Sequence, residues 1–240
     1  MIHARIKHVL ELAQPGEQAG FRSGYSCADH LHTITQVIEK MNEFKRPLWI
    51  CAIDFQKAFD TVEHASIWKA LLAQGVPSRY VALLQDLYAG QTGQVITDRE
   101  SKVFQISRGT KQGDPISPAL FSAVLEDAIS GTVKTWNANK YGLQFGDDPH
   151  DRLTNLRFAD DILLLANSQA EMVAMIADLK VAAGQVGLVL HMGKTKILTN
   201  QYANNCKDAH VCNIGDDQVQ VLGQHDATAY LGRSLNAYCA

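Results

Sequence analysis

The sequence has no long apolar run, no excess of basic residues and few cysteines, and each absence removes a class of protein. No stretch of its 240 residues approaches a membrane-spanning helix, and the first ten residues lack the apolar centre of a secretory signal. With 22 Lys and Arg against 25 Asp and Glu, the net charge of −3 excludes a polyanion binder recognisable by bulk charge. The five scattered cysteines argue against a disulfide framework. We therefore expect an intracellular protein, in nucleus or cytoplasm, without a membrane partner.

Apolar residues make up 46% of the chain, which is enough for a substantial core and excludes a disordered chain. Helical and extended patterns alternate, as in mixed α/β or α+β folds. Ser26 with Asp29 predicts a capping box at the start of a helix that Pro47 ends. The continuous apolar run 48–53 predicts a buried strand.

The remaining pattern predicts further elements along the chain. Helices are expected at 60–74, 77–88, 118–129 and from a cap at Ser168, strands at 156–158, 162–165, 188–190 and 196–198, and hairpin arms at 95–97 and 103–106. The first 20 residues are ambiguous, and a helix that ends at 15–16 is one interpretation. Residues 131–152 predict a polar surface excursion, and the last 40 residues are weakly patterned.

Acidic residues stand where predicted strands end. Asp54 terminates the strand 48–53, and Asp160 and Asp161 occupy a tight turn between two apolar strands. If these elements are neighbours, three carboxylates converge and repel one another unless protons or cations neutralise them. Mg²⁺ suits such a site, and two ions suit nucleotidyl transfer. The alternatives are that the Asp-Asp pair marks an ordinary hairpin turn and that Asp54 caps the following helix.

The loop 108–118 (RGTKQGDPISP) is the second informative feature. Its two glycines allow the backbone to approach a ligand closely. Arg108, Lys111 and Gln112 offer hydrogen-bond donors to a phosphate or a base. The alternative is an ordinary junction between a loop and a helix, where Gly and Pro are expected.

Six segments, in order, resemble the motifs of reverse transcriptases of the non-LTR retrotransposon (LINE-type) family. They are 18–22 (QAGFR), 52–60 (AIDFQKAFD), 111–118 (KQGDPISP), 158–161 (FADD), 187–196 (GLVLHMGKTK) and 230–232 (YLG). The resemblance runs from about residue 14 to 233. Each motif is modest evidence, but the ordered series is highly specific. The Gly-Asp-Pro form of the third segment favours the LINE-type branch over retroviral or intron-encoded enzymes.

The resemblance implies an α+β fold, a right-hand polymerase palm with a small antiparallel sheet backed by helices. It further implies partial fingers in 1–47, the palm in 48–200, and the end of the palm with the primer-grip region in 201–240. No complete thumb is expected. Tyr25 and His191 depart from the family pattern, which usually has a basic residue near the first position and Asn near the second.

The resemblance also implies the metal ligands. Asp54, Asp160 and Asp161 would form the catalytic triad that binds two Mg²⁺ ions, with Mn²⁺ as a substitute. The Phe55 carbonyl would be a further ligand, which would place Phe55 among the substrate-binding residues.

Roles toward the substrate follow from the same resemblance. Phe59 falls where the family keeps a bulky ring against the sugar 2′ position, although core packing is the alternative for this residue. Gln112 and Gly113 fall where the incoming nucleotide and template base are contacted, and Arg22 belongs to the fingers motif. Lys194 falls where a lysine protonates the leaving pyrophosphate, with a solvated turn lysine as the alternative.

The function that the resemblance implies is RNA-directed DNA polymerisation. A primer 3′-hydroxyl would attack the α-phosphate of a dNTP, so the expected partners are an RNA template, a DNA primer and dNTP. The expected chain is a fragment of a retrotransposon polyprotein. The alternative is a non-catalytic remnant with at most weak RNA binding.

Overall fold

The computed structural model describes residues 2–97, 100–148, 151–204 and 208–238. Asp98 and Arg99, in the predicted hairpin turn, and Cys206 and Cys239 lie outside the described residues. The helices of the described part are α1 (Ile2–Ala13), α2 (Cys27–Glu43), α3 (Ala58–Thr61), α4 (His64–Ala73), α5 (Ser78–Tyr88), α6 (Ser117–Ala138) and α7 (Gln169–Gly184). Among the described residues, no helix is both long and apolar enough to cross a membrane.

A six-stranded sheet forms the centre of the molecule, in the order β6-β7-β1-β8-β10-β9. Its strands are β1 (Trp49–Ile53), β6 (Asn155–Phe158), β7 (Asp161–Ala166), β8 (Lys196–Thr199), β9 (His210–Ile214) and β10 (Asp217–Val221). All neighbours are antiparallel except β8 and β10, which are parallel. Three small hairpins complete the fold, β2 (Thr92–Gly93) with β3 (Phe104–Gln105), β4 (Leu143–Gln144) with β5 (Arg152–Leu153), and β11 (Thr228–Tyr230) with β12 (Arg233–Leu235).

Both faces of the sheet are buried at β1, which explains why this strand has a continuous apolar sequence. Trp49, Cys51 and Ile53 pack into one core, with buried residues of α4, α6 and α7. Leu48 and Ile50 pack into a second core on the other face, with α2 and the β11–β12 hairpin. The central strand is therefore held rigidly on both sides up to the residue where it ends.

The predicted α+β class is confirmed, and so are several boundaries. The capping box of Ser26 and Asp29 is present at the start of α2. The Ser168 hydroxyl accepts a hydrogen bond from the Glu171 N–H at 3.2 Å and caps α7. These caps were predictable because they depend on residues only three positions apart.

Other predictions were wrong. The helix predicted at 60–74 is two helices, because Val62 is extended and separates α3 from α4. Helix α6 does not end near Gly131 but continues to Ala138, where the predicted excursion would lie. Residues 188–190 form no strand and share only one bridge, between Leu190 and Phe55. In the hairpin after α5, the predicted second arm, 103–106, contains β3, but β3 pairs with Thr92–Gly93, and the predicted first arm, 95–97, contributes only the bridge between Ile96 and Glu100.

Candidate active site

The three predicted acids lie at one end of two neighbouring central strands. The ladder between β1 and β7 ends with the pair Ile53 and Ile162, so Asp54 and Asp161 are the next residues on their strands. Phe158 pairs with Asp161 at the end of the β6–β7 ladder, which leaves Ala159 and Asp160 as a two-residue turn. The sheet topology thus brings Asp54 to the turn from a distant part of the chain.

The charges of these acids act on one another. Burial raises the pKa of Asp160 above its ordinary value, and the Asp54 charge raises it further. Burial also raises the pKa of Asp161, with the charges of Asp160 and then Asp54 adding to the effect. Carboxylates that resist ionisation for these two reasons are stabilised by a nearby cation.

The acids are not assembled into a closed metal shell. Within the described ranges, no three His, Cys, Asp or Glu side chains are grouped closely enough to hold a metal ion. Asp54 instead lies beside an ammonium group, with its Oδ1 3.9 Å from the Nζ of Lys194. Lys194 is largely exposed, so this contact is weak and exchangeable.

The backbone around Asp54 is fixed by the segment that follows α7. The Asp54 carbonyl accepts a hydrogen bond from the His191 N–H at 2.7 Å. The Asp54 N–H donates to the Thr195 hydroxyl at 3.4 Å. Gln56 donates its N–H to the Val189 carbonyl at 2.8 Å. The segment that carries Asp54 and the segment that carries Lys194 are therefore joined by hydrogen bonds.

Aromatic rings form a connected group that includes Phe158, beside the Asp160–Asp161 turn. Phe59 is half-buried and stacks on Phe121 with ring centroids 4.4 Å apart, and the exposed Phe21 approaches its edge at 6.5 Å. Phe55 is buried in the core, directly after Asp54. Phe59 is thus packed against Phe121 but only partly buried, so either role expected for it stays a prediction.

The glycine-rich loop is attached to the segment that carries Phe59. Thr110 donates its N–H to the Phe59 carbonyl at 2.7 Å, and the Gln112 amide donates to the Asp60 carboxylate at 2.9 Å. A Cβ at Gly109 would lie 2.7 Å from the Asp60 carbonyl oxygen, so this close approach requires glycine. Gly113 has φ of +84° and is open to solvent, so the loop presents an accessible backbone at that point.

The hydrogen-bond partners of the Arg22 guanidinium in the described part of the chain are backbone carbonyls. Its guanidinium donates to the carbonyls of Pro15, Gln18 and Glu11 at 2.5, 2.7 and 3.4 Å. It also lies 4.3 Å from the centre of the Tyr25 ring. The contacts hold the loop after α1 in shape, while substrate binding by Arg22 stays a prediction.

Two buried side chains near the acids are Tyr230, predicted only as part of the primer-grip region, and His30, which had no predicted role. The Tyr230 hydroxyl lies 3.3 Å from Nδ1 of His30, and burial, with the Asp161 charge as a smaller cause, raises the pKa of Tyr230. The His30 ring makes an edge contact with Phe158, the last residue of β6 before the turn that carries Asp160 and Asp161. The only sequence signal was the YLG motif, because the contact joins residues 200 positions apart.

The fold is similar to part of two solved telomerases. The telomerase of Candida tropicalis, solved with a fragment of telomeric RNA, superimposes with a TM-score of 0.64 at 12% identity, over 90% of this chain and 35% of that one. The telomerase of Candida albicans gives a TM-score of 0.64 at 13% identity, over 87% and 36%. These similarities confirm the predicted polymerase-palm architecture.

The chain belongs to the reverse transcriptase (RNA-dependent DNA polymerase) family, whose model matches residues 1–233. The Pol polyprotein of the type-2 retrotransposable element R2DM of Drosophila melanogaster is 30% identical over 226 residues. That of the type-1 element R2 of Nasonia vitripennis is 26% identical over 227 residues. The alignments cover 92% of this chain but 20% and 21% of those polyproteins, so the chain spans about a fifth of their length. The resemblance to retrotransposon reverse transcriptases is confirmed.

Proposed function

We propose that this chain is an RNA-directed DNA polymerase that extends a DNA primer on an RNA template with dNTPs. The observation that carries the proposal is the meeting of Asp54 with the Asp160–Asp161 turn at one end of the sheet, where the charges of these acids act on one another. Family membership supports the same chemistry. The RNA-bound Candida telomerase of similar fold supports an RNA template.

The acids fit a pair of Mg²⁺ ions, or Mn²⁺ in their place. Carboxylate oxygens are the hard ligands that such cations prefer, and the Phe55 carbonyl would add another. The raised pKa values of Asp160 and Asp161 reflect burial and neighbouring negative charge, which a bound cation would offset. Bound ions would activate the primer 3′-hydroxyl and stabilise the charge on the leaving pyrophosphate. Since Asp54 rests beside Lys194, its side chain would turn away from the ammonium to reach the shared site.

The residues around the acids would then bind and orient the nucleotide. Gln112 and the accessible backbone of Gly113 would contact the nascent base pair, and Arg22 would support the fingers side. Lys194, released from Asp54, would place its ammonium proton on the leaving pyrophosphate. Phe59, braced by Phe121, would face the sugar 2′ position.

We infer the same division of the chain as the sequence predicts, with partial fingers in 1–47, the palm in 48–200, and the end of the palm with the primer-grip region in 201–240. The pairing of β10 with β8 supports the last part, because the sheet continues past residue 200. The contact between Tyr230 and His30 would join the primer-grip region to the fingers helix α2.

A non-catalytic remnant with weak RNA binding is the second candidate. The lack of a preformed three-residue metal group among the described residues favours it. Primer extension of an RNA–DNA hybrid by the purified chain separates the two, with Mg²⁺ or Mn²⁺ and with a chelator as control. Metal-dependent addition of dNTPs is expected, and a folded chain that adds none would support the remnant.

Sugar choice tests the Phe59 assignment. Replacing Phe59 with Val should ease incorporation of rNTPs and largely preserve the use of dNTPs, because a smaller side chain leaves room for the 2′-hydroxyl. If Phe59 only packs against Phe121, truncation should instead lower stability, by about 3–5 kcal/mol for Phe59→Ala. The ratio of rNTP to dNTP incorporation in a folded Phe59→Val variant decides between the two.

A further inference from the structure

The turn that carries the catalytic acids has an unusual backbone. Ala159 adopts φ of +57°, and Asp160, the second turn residue, does not lie in that region. A positive φ at the first of two turn residues is the pattern of a type II′ turn, where glycine is preferred. An alanine in this conformation is strained, and such strain persists only where the surroundings impose it.

The side chain of Gln18 supplies a partner for this turn. Its Oε1 accepts a hydrogen bond from the Ala159 N–H at 3.1 Å and a second from the Gly20 N–H at 2.8 Å. Gln18 and Ala159 are 141 positions apart and both are buried. One carbonyl oxygen thus joins the fingers motif 18–22 to the turn.

The residues before and after Gln18 are hydrogen-bonded to strand β6. The Arg157 N–H donates to the Glu17 carbonyl at 2.8 Å, and the Ala19 N–H donates to the Arg157 carbonyl at 2.9 Å. Gly20 then packs directly on the turn, since a Cβ there would lie 2.3 Å from the Ala159 nitrogen. The segment 17–20 therefore has little freedom to move relative to the turn.

The nitrogen of the Gln18 side-chain amide differs from its oxygen. Its Nε2 is buried and has no hydrogen-bond partner in the described part of the chain. Burying an unpaired donor is unfavourable, so packing alone would favour an apolar side chain of similar size at this position. The feature that distinguishes Gln18 from such a side chain is the acceptor that it offers to the turn.

We propose that Gln18 is a positioning residue of the active site, whose side-chain carbonyl holds the Ala159 backbone in the conformation that presents Asp160 and Asp161 together. The inference rests on the proposed polymerase function. Gln18 contacts neither substrate nor metal in this role and acts only through the turn.

The test compares Gln18→Met, which keeps the length but removes the acceptor, with Gln14→Met. Gln14 is a matched control because it lies four positions earlier, is also buried, and has no side-chain partner among the described residues. Four quantities are measured in the 240-residue chain. They are the hydrogen–deuterium exchange rate of the Ala159 amide, the affinity for Mn²⁺ without substrate by electron paramagnetic resonance, and kcat and KM for one dNTP addition.

In Gln18→Met, the Ala159 amide should exchange at least about tenfold faster, and Mn²⁺ affinity and kcat should each fall about 10–100-fold, as for other outer partners of metal ligands. The KM for dNTP should stay unchanged, and Gln14→Met should match the parent chain. An unaltered Ala159 exchange rate would overturn the inference. Faster exchange with unchanged Mn²⁺ affinity and kcat would also overturn it, because the contact would then position nothing.

A second variant guards against misfolding of Gln18→Met. Replacing the Ala159 residue with lactate converts the Phe158–Ala159 amide to an ester, which removes the N–H donor, keeps the methyl side chain and weakens the Phe158 carbonyl as an acceptor. The same losses of Mn²⁺ affinity and kcat are expected, and their absence would contradict the inference. If the parent chain binds no Mn²⁺, or binds Mn²⁺ that Asp160→Ala does not remove, the proposed metal site is contradicted. In that case the Ala159 exchange rate still reports on the Gln18 contact.

Discussion

Two hairpins of the same sheet have nearly the same local sequence and backbone but different surroundings. One joins β6 to β7 through 159–161 (ADD), and the other joins β9 to β10 through 215–217 (GDD). Both are two-residue turns whose first residue has a positive φ, +57° at Ala159 and +59° at Gly215. The Asp-Asp pair is therefore not in itself a sign of catalysis, since the sheet contains it twice.

The difference lies in what the rest of the chain brings to each turn. Nothing lies within 4 Å of a Cβ built at Gly215, and Asp217 pairs with Lys180 on the surface. This is an ordinary solvated hairpin with the expected glycine. The other turn is buried at Ala159, bonded to Gln18 and faced by Asp54. These contacts join residues far apart in the sequence, which a hairpin alone cannot supply.

The largest expected difference between the hairpins is in catalysis. Asp160→Ala should lower the rate of primer extension roughly a thousandfold or more, because losing a metal ligand costs several kcal/mol of transition-state stabilisation. Asp216→Ala, at the same position of the other turn, should leave the rate within about twofold. Single-nucleotide extension of both variants measures this, and thermal unfolding should show both folded. Equal rates for the two variants would mean that the 159–161 turn is as passive as its counterpart.

Local signals in the sequence were sufficient to predict the turn at Asp160 and the strand that ends at Asp54. The apolar run of β1, its end at Asp54 and the turn at Asp160 were all predicted, because each depends on neighbouring residues. The β9–β10 hairpin was missed, although Val219 and Val221 alternate with exposed polar residues as in a half-buried strand. The signal was present there but short.

Other features depend on tertiary contacts that no local pattern encodes. Helix α6 passes through Gly131 because Trp136 is buried beyond it and donates its Nε1–H to Asp178 at 3.0 Å. The contact of Gln18 with Ala159 depends on two segments that only the folded sheet brings together. The motif 18–22 indicated that this region matters but not that Gln18 acts on the turn.

The segment 17–20 packs closely on the 159–161 turn. This turn should therefore be more sensitive than the 215–217 turn to added volume nearby. In Gly20→Ala, the new methyl would lie 2.3 Å from the Ala159 nitrogen and 2.9 Å from the Phe158 carbonyl carbon, so backbone must move. We expect a loss of about 1–3 kcal/mol in stability, as for overpacking, and up to roughly a hundredfold in rate from a displaced turn.

Gly16→Ala is the matched control for that change, because no atom lies within 4 Å of a Cβ at Gly16 and its φ is not in the left-handed region. Its stability and its rate should stay close to those of the parent chain. Denaturant unfolding and single-nucleotide extension give both values. If Gly20→Ala behaves like Gly16→Ala, the turn tolerates displacement and the Gln18 contact is not rigid.

The smallest expected effects come from exchanging the first residues of the two turns. Gly215→Ala should lower the free energy of unfolding by about 1 kcal/mol, because the strain of a left-handed alanine, about 1–2 kcal/mol, is partly offset by a less flexible unfolded chain. Primer extension should not change, since β8 lies between this hairpin and the strand that ends at Asp54.

Ala159→Gly should relieve the same strain at the other turn. That gain of about 1–2 kcal/mol is opposed by about 0.4–1 kcal/mol of added freedom in the unfolded chain and by about 0.8 kcal/mol for one lost buried methyl. The terms nearly cancel, so denaturant unfolding should show a change below about 1 kcal/mol. The rate should fall only severalfold, because the Gln18 carbonyl still binds the N–H of residue 159. A large loss of rate at unchanged stability would show that the alanine side chain, and not only the hydrogen bond from Gln18, restricts this turn to its catalytic shape.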